Sequence, residues 1–168
     1  NDSTYVIKIR FYRDCTSQQF VPTVLNIDYS YSSVSCGLSG NSSLELITGD
    51  KSGNIATGNF IDLPCSGVDT CNFNLGLYSI EEFVYIDTLI LPDTCSDWLI
   101  SYTTSGLRNN SDVILNATSE KIYVEALINN LDAPGNSSPD FLKPPVAIFC
   151  TGRDFFFNQG AVELDGDS

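Results

Sequence analysis

The run Ser79-Ile80-Glu81-Glu82-Phe83-Val84-Tyr85-Ile86-Asp87-Thr88-Leu89-Ile90-Leu91, closed by Pro92, decides the fold class of this chain. It is dense in branched and aromatic side chains, which fit a pleated, half-buried surface. No 3.6-residue period organises it, and the closing proline cannot extend a hydrogen-bonded ladder. The stretch is predicted to be a strand. The same signature recurs upstream at residues 5–12, 23–31, 43–48 and 54–61. It recurs downstream at residues 98–104, 121–129, 145–150 and 154–158. Residues 117–126 come nearest to a helical period, but Ile122, Tyr123 and Val124 favour a strand there. Turn chemistry separates the runs: Gly49-Asp50-Lys51-Ser52-Gly53-Asn54, Ser105-Gly106 and Ala133-Pro134-Gly135-Asn136. Short strands divided by polar turns predict an all-β chain, an immunoglobulin-like β-sandwich with disulfides. Residues 1–160 are expected to form the sandwich module, and residues 161–168 to begin a linker or a next domain.

Composition narrows the function. A chain of 168 residues, 42% hydrophobic, can bury a core of its own. Twenty-one acidic residues against eight basic ones give a net charge of -13. That field repels phosphate backbones and anionic membranes, so no nucleic-acid partner is expected, and it attracts cations such as calcium. No stretch is long and apolar enough for a membrane-spanning helix, and membrane insertion is not expected. The absence of His removes the Ser-His-Asp and Cys-His mechanisms and histidine zinc sites. Glu81 and Glu82 are adjacent on a strand and point to opposite faces, so they cannot work as a glycosidase pair. The chain is therefore not expected to be an enzyme.

Six cysteines, Cys15, Cys36, Cys65, Cys71, Cys95 and Cys150, are even in number and widely spread. They lack the Cys-x-x-Cys spacing of zinc sites and fit disulfides in an oxidising compartment. Spacing does not choose among the pairings. The closeness of Cys65 and Cys71 suggests a local loop, with the other four paired among themselves.

Several segments then look familiar in order: Phe11-Tyr12-Arg13-Asp14-Cys15, Ile80 to Tyr85, Leu91-Pro92 leading to Cys95-Ser96-Asp97-Trp98, and Tyr123-Val124-Glu125-Ala126 leading to Asn129-Asn130-Leu131-Asp132-Ala133-Pro134. Asn136-Ser137-Ser138-Pro139, Pro144-Pro145-Val146 and Asn158-Gln159-Gly160-Ala161 complete the series. This order resembles a module of very large secreted Bacteroidetes surface proteins, the gliding-motility adhesins of the SprB type exported by the type IX system. Such modules usually carry a Cys-Cys-Arg-Asn block where this chain has Ser105-Gly106-Leu107-Arg108-Asn109, so their disulfide pattern does not transfer intact. The resemblance implies a structural and adhesive module of a giant cell-surface adhesin or filament, working in surface attachment or gliding motility. It implies an extracellular, cell-surface location. The partners implied are neighbouring domains of the same polypeptide or filament, an extracellular polysaccharide or an abiotic surface. The alternative is a carbohydrate-binding module. The chain is expected to be a segment of a longer protein, with a sheet edge that recruits a neighbouring strand.

Two clusters are candidate sites. Glu163, Asp165 and Asp167 alternate around Gly166 and present oxygens suited to calcium. Phe155, Phe156 and Phe157 cannot all face inward on one strand, which marks an interface. Trp98, three residues after Cys95, is expected in the core with Ile100 and Tyr102 on its face.

Overall fold

The computed structural model describes residues 3–14, 24–49, 58–61, 80–104, 115–144, 152, 154, 156–158, 160–163 and 165. Among these residues the regular structure is strand, apart from one 3₁₀ turn at Ala117–Ser119. The strands are β1 (Thr4–Asp14), β2 (Asn26–Ser33), β3 (Leu38–Leu46), β4 (Asn59–Ile61) and β5 (Ile80–Ile90). They continue with β6 (Trp98–Thr103), β7 (Tyr123–Ile128), β8 (Asp140–Phe141) and β9 (Ala161–Val162). Among the described residues, no helix is long and apolar enough to cross a membrane.

The long run that opened the sequence reading is β5, the spine of the sheet. It pairs antiparallel with β1 from Thr4 opposite Ile90 to Asp14 opposite Ile80. Its other side takes β3 and the short β4. The path through the sheet is β1-β5-β3-β2-β6-β7, every pairing antiparallel. β8 and β9 form a separate two-stranded ribbon.

This sheet is curled over on itself. β1 and β6 are four strand spacings apart along the path, roughly 19 Å in a flat sheet. Yet the rings of Phe11 on β1 and Tyr102 on β6 meet edge to face, their centroids 5.5 Å apart. Phe11 also packs on Tyr85 of its neighbour β5, at 5.9 Å. The β1–β5 half therefore lies against the β2–β6 half, and the two layers of the expected all-β sandwich are halves of one continuous sheet.

Period-two alternation fills the space between them. Ile27 and Tyr29 of β2, Leu44 and Leu46 of β3, Phe83, Tyr85 and Leu89 of β5, and Trp98, Ile100 and Tyr102 of β6 form one buried cluster. Tyr5, Ile7, Ile9 and Phe11 of β1 pack against it from one side. Opposite Tyr31 on β2 stands Gly40 on β3. A Cβ at Gly40 would lie 2.3 Å from the Tyr31 hydroxyl oxygen, so glycine is what lets that ring lie across the strand.

Among the described residues one disulfide, Cys36–Cys95, ties the β2–β3 turn to the segment entering β6, with Cα atoms 6.1 Å apart. Cys15, Cys65, Cys71 and Cys150 lie outside the described residues. The turn itself needs Gly37 at φ 65°, where its N–H donates to the Val34 carbonyl. Beside the disulfide, the Asp97 carboxylate accepts from the Ser33 and Ser35 hydroxyls, both at 2.5 Å, and from the Ser35 N–H at 2.9 Å. Those hydrogen bonds hold the Asp97 carboxyl down at about 2. Buried Asn130 completes the junction. Its side-chain oxygen accepts from the Cys95 N–H at 2.7 Å, and its amide donates to the Asp93 carbonyl at 3.1 Å. The Trp98 indole N–H donates to that same carbonyl.

The structure departs from the strand reading in three places. Asp154 and residues 156–158 are not in a strand, because the local apolar run finds no ladder among the described residues. β3 begins at Leu38 rather than at residue 43. Its polar start, Ser39-Gly40-Asn41-Ser42, has weak strand propensity, and pairing with β2 supplies what propensity does not. The short β8–β9 ribbon has no signal in the sequence pattern. Residues 145–150 lie outside the described residues.

Candidate functional site

Among the described residues, the curled sheet does not close. Its two end strands, β1 and β7, face each other across a groove of about 1210 Å³. One wall is β1, from Thr4 to Tyr12; the other is Ala126, Leu127, Ile128 and Asn129 at the end of β7. The floor includes Ile86 and Ile100, and residues 134–141 run along the rim.

β1 sorts its side chains by alternation. Tyr5, Ile7, Ile9 and Phe11 turn to the core, while Val6, Lys8, Arg10 and Tyr12 lie on the other face. There Lys8 and Arg10 both reach Asp140 of β8, at 3.6 and 3.4 Å. Arg10 also lies 3.9 Å from Glu82, and the Tyr12 hydroxyl donates to Glu82 at 3.0 Å. Burial, reinforced by Glu82, pushes the Tyr12 phenol up. In each ion pair both partners are about a third or more exposed to solvent, so each contributes at most about 1 kcal/mol. The Tyr5 hydroxyl donates to the Pro134 carbonyl, tying the rim to β1.

Glu81 and Glu82 separate as alternation requires. Glu81 is buried and pairs with Arg13 through Nε at 2.9 Å and through Nη2, with the guanidinium 5.3 Å from the Phe83 ring centroid. Glu82 lies on the opposite face with Tyr12 and Arg10. A third carboxylate, Asp87, accepts from the Tyr29 hydroxyl at 2.7 Å and from Ser42 at 2.6 Å. Burial pushes Asp87 up, but the hydrogen bonds from Ser42, Tyr29 and the Thr88 N–H outweigh it and hold the carboxyl below its ordinary value. Burial and the Asp87 contact push the Tyr29 phenol up. At neutral pH the pair is thus a fixed anion and a fixed neutral phenol, an arrangement that orients strands rather than moving protons.

Of the calcium trio, Glu163 and Asp165 are described and Asp167 is not. Asp165 accepts from the Ser137 N–H at 2.5 Å and its hydroxyl at 3.0 Å, which ties the end of the described chain to the groove rim. Among the described residues no three His, Cys, Asp or Glu side chains gather in a metal-binding group. Of the aromatic trio, Phe155 lies outside the described residues, while Phe156 is 92% exposed and Phe157 39%. The sequence reading missed Lys8, Arg10 and Asp140. The available signal was the pair Lys8-Ile9-Arg10, two of only eight basic residues on one face of one strand.

No family model, curated protein or solved structure matches the chain.

Proposed function

We propose that this chain is a structural and adhesive module of a large extracellular surface protein, serving surface attachment or gliding motility. The observation that carries this reading is the way the sheet is fastened. β1 is zipped to β5 over eleven consecutive residue pairs, and Cys36–Cys95 locks the opposite layer. A sheet so fastened resists being peeled apart under load, which suits a unit in a filament pulled between a cell and a surface. The disulfide supports an oxidising, extracellular setting. The ordered segments that resemble SprB-type modules support the same assignment and, with it, type IX export. Many such modules in a row multiply weak contacts into firm attachment.

A second reading, a carbohydrate-binding module, is favoured by one feature. Tyr123 is half exposed on β7, and its hydroxyl donates to Glu125 at 2.6 Å, which fixes an aromatic face beside a carboxylate.

Beads coated with the chain, offered to glass and to a polysaccharide panel with calcium or a chelator, separate the readings. Retention on glass and on many polysaccharides supports the adhesive module. Retention on one glycan, lost in Tyr123→Ala, supports the lectin-like reading. Loss of retention with chelator supports calcium at Glu163, Asp165 and Asp167. Beads that wash off every surface overturn the adhesive reading.

A further inference from the structure

Among the described residues, β7 carries an inward face that is left uncovered. It pairs with β6 so that Tyr102 stands opposite Val124, Ile100 opposite Ala126 and Trp98 opposite Ile128. Residues directly opposite one another in a sheet share a face. On β6 that face is the core: Trp98, Ile100 and Tyr102 are 0%, 5% and 6% exposed. Val124 and Ala126 aim the same way, yet Val124 is 42% exposed and Ala126 is exposed as well. The covering layer stops one strand short. Across the gap, Tyr5 and Ile7 of β1 are only partly buried against the same core. Among the described residues, no backbone hydrogen bond joins β1 to β7.

The groove between them also differs in charge from the rest of the molecule. Three basic residues line it, Lys8, Arg10 and Lys143, against two acidic ones, Asp140 and Glu163. Lys8 and Arg10 both reach Asp140, and Arg10 also lies beside Glu82, so the groove is close to neutral within a chain of net charge -13. Three of the eight basic residues are here, but only two of the twenty-one acidic ones.

We propose that this groove receives an extended strand from a different polypeptide, one that alternates apolar and acidic side chains. Its apolar side chains cover Val124, Ala126, Tyr5 and Ile7. Its acidic side chains fall on the opposite face, where Lys8 and Arg10 stand. Its backbone pairs with the open edges of the sheet, the mode of β-strand addition. β7 has six residues, so a strand of about six to eight matches its span of roughly 20 Å. A second copy of this chain is disfavoured as donor, because two bodies of charge -13 repel. The inference stands apart from the attachment reading: a module that binds no surface can still take the strand.

The test uses the full 168-residue chain and a fluorescent, end-blocked heptapeptide alternating Val or Ile with Glu. Controls are the same peptide with Lys for Glu, the Glu peptide N-methylated at alternate residues, and an oligogalacturonate. Anisotropy should show the Glu peptide binding at least about tenfold more tightly than the Lys peptide, and N-methylation should cost about as much. K8E/R10E should reverse the charge preference, with circular dichroism checking the fold. If that variant misfolds, exposed Lys143→Glu should still weaken the Glu peptide selectively. Hydrogen exchange of the β7 amides should slow about tenfold with peptide bound. The proposal is overturned if the two peptides bind alike or not at all, or if the β7 amides are fully protected in the free chain. Oligogalacturonate binding that displaces the peptide without slowing those amides reassigns the groove to an anionic glycan. Concentration-dependent dimerisation that protects β7 reassigns it to a second copy.

Discussion

Replacing both Cys36 and Cys95 with Ala should cost about 4 kcal/mol, and the origin of that number makes it testable. The two residues are 59 apart in sequence. Closing a loop of about 60 residues in the unfolded chain removes roughly 14 cal/mol/K by the chain-entropy relation, or about 4 kcal/mol at room temperature. Any cross-link among Cys15, Cys65, Cys71 and Cys150 that overlaps this loop shortens it and lowers the figure. The packing loss at buried Cys95 is smaller, because Ala is only slightly smaller than Cys. Urea unfolding followed through Trp98 is the assay. It is the only tryptophan in the chain and is fully buried, so its emission reports the core beside the bond. With a slope near 2 kcal/mol/M, the midpoint should fall by about 2 M. The slope itself should rise, because an uncross-linked unfolded chain exposes more surface. A midpoint shift below about 0.5 M with an unchanged slope would refute the loop-closure argument. The sheet ladder would then be holding the two layers together without the bond.

Four further outcomes follow from the local chemistry. Asp97 sits at about 2 in the folded chain against an ordinary 3.8, so its hydrogen bonds stabilise the fold above 3.8 and that contribution fades as pH falls toward 2; Asp97→Asn should flatten stability over that window in acid titrations of urea midpoints. Arg13→Met strands buried Glu81 and should cost about 3–5 kcal/mol, whereas Arg13→Met with Glu81→Leu should recover much of it, as a double-mutant cycle would show. Tyr29 and Tyr85 are pushed up by burial, so the folded chain holds their protons longer; their ultraviolet titration should lag the exposed phenols above pH 10, and stability should fall as pH rises further. Asn130→Ala leaves the buried Cys95 N–H without its acceptor and should lower stability by about 1–3 kcal/mol in the same urea assay.

The architecture was legible wherever burial imposes period two. Trp98, Ile100 and Tyr102 declare one buried face, and the run ending at Pro92 declares the central strand. The start of β3 was not legible, because Ser39, Gly40 and Asn41 gain their strand geometry from β2 and not from their own preferences. The pairing of Cys36 with Cys95 was open for a similar reason. It depends on the β2–β3 turn folding back beside the entry to β6, a three-dimensional relation with no local signature. The groove was the least legible feature. From sequence, Val124 and Ala126 are simply part of the strand expected at residues 121–129. Only the register with β6 shows that they point inward and find too little to cover them. The motif Asn129-Asn130-Leu131-Asp132 stood out in sequence, and the structure gives it a physical role. Asn129 bends the loop by accepting from the Leu131 and Asp132 N–H groups, while Asn130 pins it to Cys95.

An open edge beside an uncovered apolar face invites indiscriminate pairing, and proteins usually blunt such edges with lysine, proline or a bulge. β7, Tyr-Val-Glu-Ala-Leu-Ile, carries neither lysine nor proline, and its register with β6 runs without a skipped residue. Its protection comes from elsewhere. A net charge of -13 keeps copies of the chain apart at long range, and that repulsion acts on the whole body rather than on the edge. Lys8, Arg10 and Lys143 act locally, within a Debye length of the groove, where they favour an incoming acidic strand over a neutral or basic one. The long-range repulsion and the local basic side chains act over different ranges, so self-association is discouraged while a short acidic strand on another chain is admitted. Raising the salt concentration screens both. It should weaken the charge preference of the groove and, in the same titration, bring out self-association through β7. A groove merely left over from imperfect packing would show neither response.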